Sequence, residues 1–305
     1  MKEITFDGEM PFPNLNAKIY REIYSIEVWL RRILYAALVA QHGNKWFDAI
    51  PSEVSAELKK KLAMSKGKIF LDCGTSSNAI WLTTFEELRR LLTISDTWTV
   101  VEELTDYKKD SFSHQTDAIR EIRNAVGHNR AATKDTFVNF HRIADDIKEG
   151  IEIFKKFIFH DIDAQLKHVV PPDDNIIDIV PGYFRRKCYE IYEKQFSGMP
   201  WLGESKYYYT IFSMSAHLQG RKVDIRELLK AYKKYGDVIM ACMIDIEEDG
   251  YTIIWPKNAS QDLHLGIIDT FFNTEDYVLT DKEYSAQGVK YVCDPKIWFH
   301  YSHGK

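Results

Sequence analysis

Cysteine is scarce in this chain. Four residues among 305, Cys73, Cys188, Cys242 and Cys293, are far apart and form no C-x-x-C pair. That spacing excludes the dense disulfide framework of a small secreted scaffold, and free thiols in a reducing cytoplasm are expected. No run approaches the length of uncharged apolar sequence that a membrane-spanning helix needs, so no membrane span is expected. Residues 1–13 are acidic and polar and lack the basic-then-apolar order of a secretory leader. An excess of basic charge is also missing, because the net charge is −5. Divided at His168, the first part carries 24 basic and 25 acidic residues and the remainder 16 and 20. A general nucleic-acid coat protein is therefore excluded, and any contact with a polyanion must be local. There is no P-loop, G-x-G-x-x-G, H-E-x-x-H or G-x-S-x-G, so no cofactor or metal is expected.

What is present is a folded chain, with 45% hydrophobic and 13% aromatic residues and enough length for two cores. The first half reads as helix throughout. Ile19, Ile23, Ile26, Leu30, Ile33, Leu34, Ala37 and Leu38 line one side of a helix over 16–41, on which Glu27 and Arg31 form an i, i+4 pair. Pro51-Ser52 opens a second helix to about 64, and 67–78 reads as a loop or short extended segment. Thr84 with Glu87 is a capping-box signature for a helix to about 94. Weaker periodicity predicts a helix over 98–108, followed by 113–128 and a long helix over 133–159, the last two forming a hairpin. A turn-rich stretch from His168 to Asn175, with Pro171-Pro172, is the expected domain boundary, giving domains 1–168 and 169–305. Strand-like runs come next at 176–180, 207–214, 238–246 and 251–255, with helices over 183–196 and 224–235. Glu247-Glu248-Asp249-Gly250 between the last two runs is a hairpin signal. The expected architecture is an N-terminal all-α bundle followed by an α+β domain with an antiparallel hairpin.

The chemistry concentrates in the octet Arg123-Asn124-Ala125-Val126-Gly127-His128-Asn129-Arg130, late in a helical run. Ile119, Ile122 and Val126 form the buried stripe of that helix, whereas Arg120, Asn124 and His128 form a row diverging from it. His128 points away from the core and Arg123 lies on the stripe's flank. An i, i+5 pair is an imperfect partnership, since the two Cβ vectors differ by about 140°. Gly127 offers a place for the helix to loosen and let the two converge; a symmetric dimer offers another route. A lone helical histidine is ordinarily a solvated residue. Beside an arginine and an amide, it becomes the proton carrier of a candidate site whose phosphate-binding cation is Arg123.

Arg123-Asn124 followed by His128 resembles the R-x4–6-H signature of the HEPN superfamily, in the form where Asn follows the Arg. Ile26-Glu27-Val28-Trp29-Leu30-Arg31-Arg32 is similar to the first-helix E-x-x-L-R pattern of HEPN proteins from toxin–antitoxin and abortive-infection systems. Gly43-Asn44-Lys45-Trp46 and the middle-helix start Thr84-Phe85-Glu86-Glu87-Leu88 agree in order, so the resemblance covers residues 14–160, about half the chain. It implies a HEPN-like helical bundle and a metal-independent endoribonuclease that cleaves RNA by 2′-OH attack, leaving 2′,3′-cyclic phosphate and 5′-hydroxyl ends. It further implies catalytic roles for Arg123, Asn124 and His128, with Glu27, Arg31, Arg120 and Arg130 in support. A twofold homodimer through the motif helix, an antitoxin or phage-derived trigger, and a bacterial toxin or anti-phage setting belong to the same implication. The alternative is a HEPN-derived RNA- or protein-binding scaffold without turnover, its C-terminal domain acting as sensor or specificity module.

Other candidates are weaker. Asp72-Cys73-Gly74-Thr75-Ser76-Ser77 lacks the Lys of a nucleotide loop, and His300 with His303 lacks a third metal ligand. Lys59-Lys60-Lys61 with Lys66 and Lys68 reads as a solvated helix end. Tyr207-Tyr208-Tyr209 fits either base stacking or a strand with one apolar face.

Overall fold

The computed structural model describes residues 14–65, 79–128, 130–159, 179–192, 200–213, 222–223, 231–236, 238–245, 250–273, 278–279 and 299–302. The chain divides into two units, each discontinuous in sequence: Met1–Leu34 with Thr84–Lys156, and Tyr35–Thr83 with Phe157–Lys305. The boundary expected between His168 and Asn175 lies outside the described residues, as do the loop at 67–78 and Cys73.

Among its described residues the first unit is all helix. It contains the N-terminal part of α1 (Asn14–His42), then α3 (Phe85–Leu92), α4 (Ser95–Thr105), α5 (Lys109–Gly127) and most of α6 (Lys134–Phe159). The stripe read from the sequence is the buried one, with Ile19, Ile23, Ile26, Leu30 and Ile33 all at most 2% exposed. The capping box forms in full: Thr84 Oγ1 accepts from Glu87 N, and the Glu87 carboxylate accepts from Thr84 N at 2.7 Å. α5 and α6 make an antiparallel hairpin, marked by Gln115 Nε2 donating to Asp146 Oδ2 at 2.8 Å.

One glycine there is required by packing. A Cβ at Gly150 on α6 would stand 1.9 Å from Cε1 of Tyr107. That ring cannot step aside freely, because its hydroxyl donates to the Ile147 carbonyl and its face packs 5.0 Å from Phe112. Gly150→Ala is expected to cost about 1–3 kcal/mol by overpacking, read as a lower urea midpoint. An unchanged midpoint would contradict this packing account.

The second unit holds the last turns of α1, a 3-10 turn over Gly43–Ala49, α2 (Ser52–Ser65), a second 3-10 turn over Ala79–Leu82, α7 (Ile179–Tyr192), α8 (Gln261–Phe272) and the strands. From Tyr35 to Ala40 the α1 helix is buried all round. Its carbonyls are met from the C-terminal part of the chain. Tyr35 donates in turn to Gly236 O at 3.3 Å, Tyr208 donates to Ala36 O at 3.1 Å and Asn258 Nδ2 to Ala40 O at 2.9 Å. Gly43 succeeds the helix at φ +56, where a Cβ would also meet the Asn258 carbonyl at 2.7 Å.

Strands β1 (Trp201–Glu204), β2 (Tyr208–Ser213), β4 (Ala241–Asp245), β5 (Gly250–Pro256) and β7 (Phe299–Ser302) form one sheet, in the order β1-β2-β5-β4-β7. Neighbours are antiparallel except β4 with β7. The strands β3 (Lys222–Val223) and β6 (Val278–Leu279) pair separately. β4 and β5 pair antiparallel with Asp245 opposite Gly250, as the expected hairpin requires, while its turn residues Glu247-Glu248-Asp249 lie outside the described residues. Three expectations are corrected. Ile179 and Val180 begin α7 rather than end a strand over 176–180. Val238 to Met240 are buried but precede β4, since Val238 N and Ile239 N both donate to Tyr235 O. Tyr208 and Tyr209 are both buried, so β2 is covered on both faces and neither offers a stacking platform.

The core of this unit gathers Phe184, Tyr209, Ile211, Tyr232, Ile253, Trp255, Ile267, Ile268 and Phe271. Cys188 on α7 belongs to it, 1% exposed, and burial pushes its thiol up to about 12. In the folded protein Cys188 is therefore expected to resist an aromatic disulfide reagent at pH 8 and to react once denaturant is added. Rapid native labelling of the Cys188 peptide, detected by mass spectrometry, would contradict that placement.

Candidate functional site

The octet spans the end of α5, with Arg123 and Asn124 in its last turns. Gly127 is the last helical residue and His128 the cap, its N–H donating to Asn124 O at 3.0 Å. Arg130 N then donates to Ala125 O at 3.0 Å, an i→i−5 closure of the kind that ends helices. The space around Gly127 is open, and as the last residue of α5 it loosens no helical interior.

The chain leaving the octet is pinned by Asn16, a residue outside the motif. Asn16 is fully buried in the first turn of α1. Its amide donates to Arg130 O at 2.9 Å, and its Oδ1 accepts from Ala132 N at 2.8 Å. A buried amide finds its partners in backbone, and here those partners lie at and just beyond the end of the octet. The sequence signal for Asn16 is a polar residue one turn before the Ile19 stripe, in a helix whose buried positions are otherwise almost all apolar.

Glu27, Arg31 and Arg123 come together. The Glu27 side chain is 11% exposed and sits between two guanidinium groups. Arg31 Nη2 donates to Oε2 at 3.0 Å, and Arg123 Nε donates to Oε1 at 2.7 Å. The i, i+4 pair read from the sequence thus exists, and its carboxylate reaches a third residue 96 positions along the chain. Arg123 is 39% exposed, and only its Nε is engaged. Its two terminal amino groups have no partner among the described residues. An arginine anchored at Nε by a buried carboxylate presents a fixed pair of donors, the fork that matches two phosphate oxygens.

Asn124 and His128 are exposed, and neither side chain has a hydrogen-bond or ion-pair partner among the described residues. Five helical positions separate His128 from Arg123, a rise of about 7.5 Å. No hydrogen bond links their side chains. Arg120 is drawn elsewhere, with Nη1 donating to Glu86 at 3.2 Å and Nη2 facing Asp117 at 3.4 Å. Glu86 also accepts from Arg89, and that hydrogen bond, together with Arg120, holds its carboxyl below the usual range. Arg120 is therefore a member of a surface ion network, whereas the side chain of Arg130 is exposed and unengaged among the described residues. Of the secondary candidates, Lys59 and Lys60 are exposed on α2, and His303 lies outside the described residues.

No protein-family model, curated protein or solved structure matches this chain.

Proposed function

We propose that the chain is a metal-independent endoribonuclease whose reacting groups are Arg123, Asn124 and His128. The observation that carries this reading is the grip of buried Glu27 on Arg123 Nε, which leaves the terminal amino groups of that guanidinium open on the same helix end that carries the exposed side chains of Asn124 and His128. RNA supplies its own nucleophile. His128 takes the proton of the 2′-hydroxyl as its oxygen attacks the adjacent phosphorus, and Arg123 grips the oxygens on which charge builds. The bond from phosphorus to the 5′-oxygen then breaks, and that oxygen receives a proton. The products are a 2′,3′-cyclic phosphate and a 5′-hydroxyl. Asn124 orients the phosphate by hydrogen bonding.

One helix end offers a single histidine, whereas the two proton transfers are best served by a base and an acid. A twofold homodimer that faces two α5 ends across one cleft supplies His128 from each copy, and it suits a histidine turned away from its own core. With a net charge of −5 and no basic excess, the enzyme touches few phosphates and binds weakly in salt. A role in toxin or anti-phage systems, with an antitoxin or phage-derived trigger as partner, rests on the HEPN resemblance alone.

The test is direct. Purified chain in EDTA is incubated with tRNA and total RNA beside His128→Ala and Arg123→Ala. Cleavage by the parent alone supports the proposal, and cleavage that persists in both variants refutes the site. RNA retention without cleavage by any of the three makes the chain a binding scaffold.

A further inference from the structure

A second cluster of ligating side chains lies in the first unit and takes no part in the proposed cleavage. On α6, His141 and Asp145 stand at i, i+4 and so share one face of the helix. Glu22 of α1 meets them there. Its Oε2 is 3.3 Å from His141 Nδ1, and the three ligand atoms lie within 4.8 Å of one another. Glu22 is largely buried, at 14% exposure, while His141 and Asp145 open to solvent at 40% and 68%. The imidazole is held by its neighbours, edge-on to Phe137 at 4.3 Å between ring centres.

Two features point to a cation. The first is geometric. Ligands about 2.0–2.1 Å from a tetrahedral Zn2+ are separated by about 3.3 Å, the spacing at which Glu22 and His141 already stand, and the Asp145 carboxylate lies within 4.8 Å of both. The second is that a cation is already drawn to the same carboxylates. The ammonium of Lys148 contacts Glu22 Oε1 and lies 3.3 Å from Asp145 Oδ1. Its side chain is 40% exposed, so it can swing into solvent when a stronger cation arrives.

We propose that Glu22, His141 and Asp145 form a site for a divalent first-row transition metal of the Zn2+ class, which displaces Lys148 and clips α1 to α6. One imidazole with two carboxylates suits Zn2+ and its neighbours better than Mg2+ or Ca2+, which take oxygen ligands alone. Three protein ligands leave a coordination position for water. Because the metal binds the folded arrangement of two helices, it stabilises that fold by mass action.

The experiment uses the full chain stripped with EDTA, dialysed and titrated with ZnCl2 against a chromophoric chelator, with thermal unfolding measured in parallel. One equivalent is expected to bind, and at about a hundredfold excess over Kd the midpoint is expected to rise by about 5 °C. Asp145→Asn, at an exposed position, is expected to weaken binding about tenfold or more and to shrink the thermal shift; His141→Ala is expected to do the same. Lys148→Met is expected to tighten binding, because the competing ammonium is gone. Absence of binding overturns the site, and so does stoichiometric binding that neither Asp145→Asn nor His141→Ala weakens. These readouts involve no RNA, so they stand or fall separately from the ribonuclease proposal.

Discussion

His128→Ala is expected to lower RNA cleavage by about 10²–10⁴-fold while leaving the thermal midpoint nearly unchanged. The two halves of that expectation have separate causes. The imidazole is exposed at the cap of α5 and has no partner among the described residues, so its loss removes no packing and orphans no buried group. If it carries the proton in 2′-oxygen attack, its loss removes a step that water performs poorly. Arg123→Ala is expected to fall as far in cleavage, but at some cost in stability, since Glu27 then loses one of its two guanidinium partners. Arg123→Lys retains the charge and gives up the anchored fork, so little recovery is expected. Cleavage that drops in proportion to folded fraction in all three variants would make these residues structural.

The second large effect belongs to Glu27. Its carboxylate is the buried element of the candidate site, joined to Arg31 at 3.0 Å and Arg123 at 2.7 Å. Glu27→Ala leaves these two guanidinium groups with no carboxylate from position 27 between them. A loss of about 2–4 kcal/mol is expected, together with about a 10²-fold fall in cleavage as the phosphate-binding fork loses its fixed position. Glu27→Gln keeps the shape and removes the charge. A cycle separates positioning from general stability: if Glu27 acts through Arg123, Glu27→Gln should lower cleavage in the parent and add nothing further in the Arg123→Ala background. Equal effects in both backgrounds would show that Glu27 supports the fold alone.

Most of the first unit was legible in the sequence because its helices are amphipathic and capped. The Ile19 to Ile33 stripe, the Thr84–Glu87 box and the Thr133 start of α6, where Thr136 N donates to Thr133 Oγ1, are local signals that the structure repeats within a few residues. The second unit was harder for a physical reason. α8 buries half of its residues, and polar His264 and Thr270 are among them beside Ile267, Ile268, Phe271 and Phe272, so its apolar periodicity is blurred. β1 is a four-residue edge strand, shorter than pattern reading resolves. The strand reading failed at Ile179 and Val180 because β-branched residues at a helix start look like strand when the partner surface is unknown.

The candidate site divides the same way. The Glu27–Arg31 pair follows from helical spacing, and the exposure of Asn124 and His128 follows from their angle to the Ile119 stripe. The Glu27–Arg123 bond joins residues 96 apart, and the Asn16 bridge joins residues more than a hundred apart. No local rule reaches that far. Only packing α1 against α5 brings a carboxylate behind the arginine, which anchors the guanidinium proposed to grip phosphate.

The central claim is that the end of α5 cleaves RNA through the substrate's own 2′-oxygen. The most direct test is the chemistry of the product ends, read by mass spectrometry after digestion in EDTA of a defined RNA and of the same strand carrying 2′-deoxy at the scissile nucleotide. The account predicts 2′,3′-cyclic phosphate and 5′-hydroxyl ends from the RNA and an intact 2′-deoxy strand. Products ending in 3′-hydroxyl and 5′-phosphate, or cutting of the 2′-deoxy strand at the same position, would contradict it.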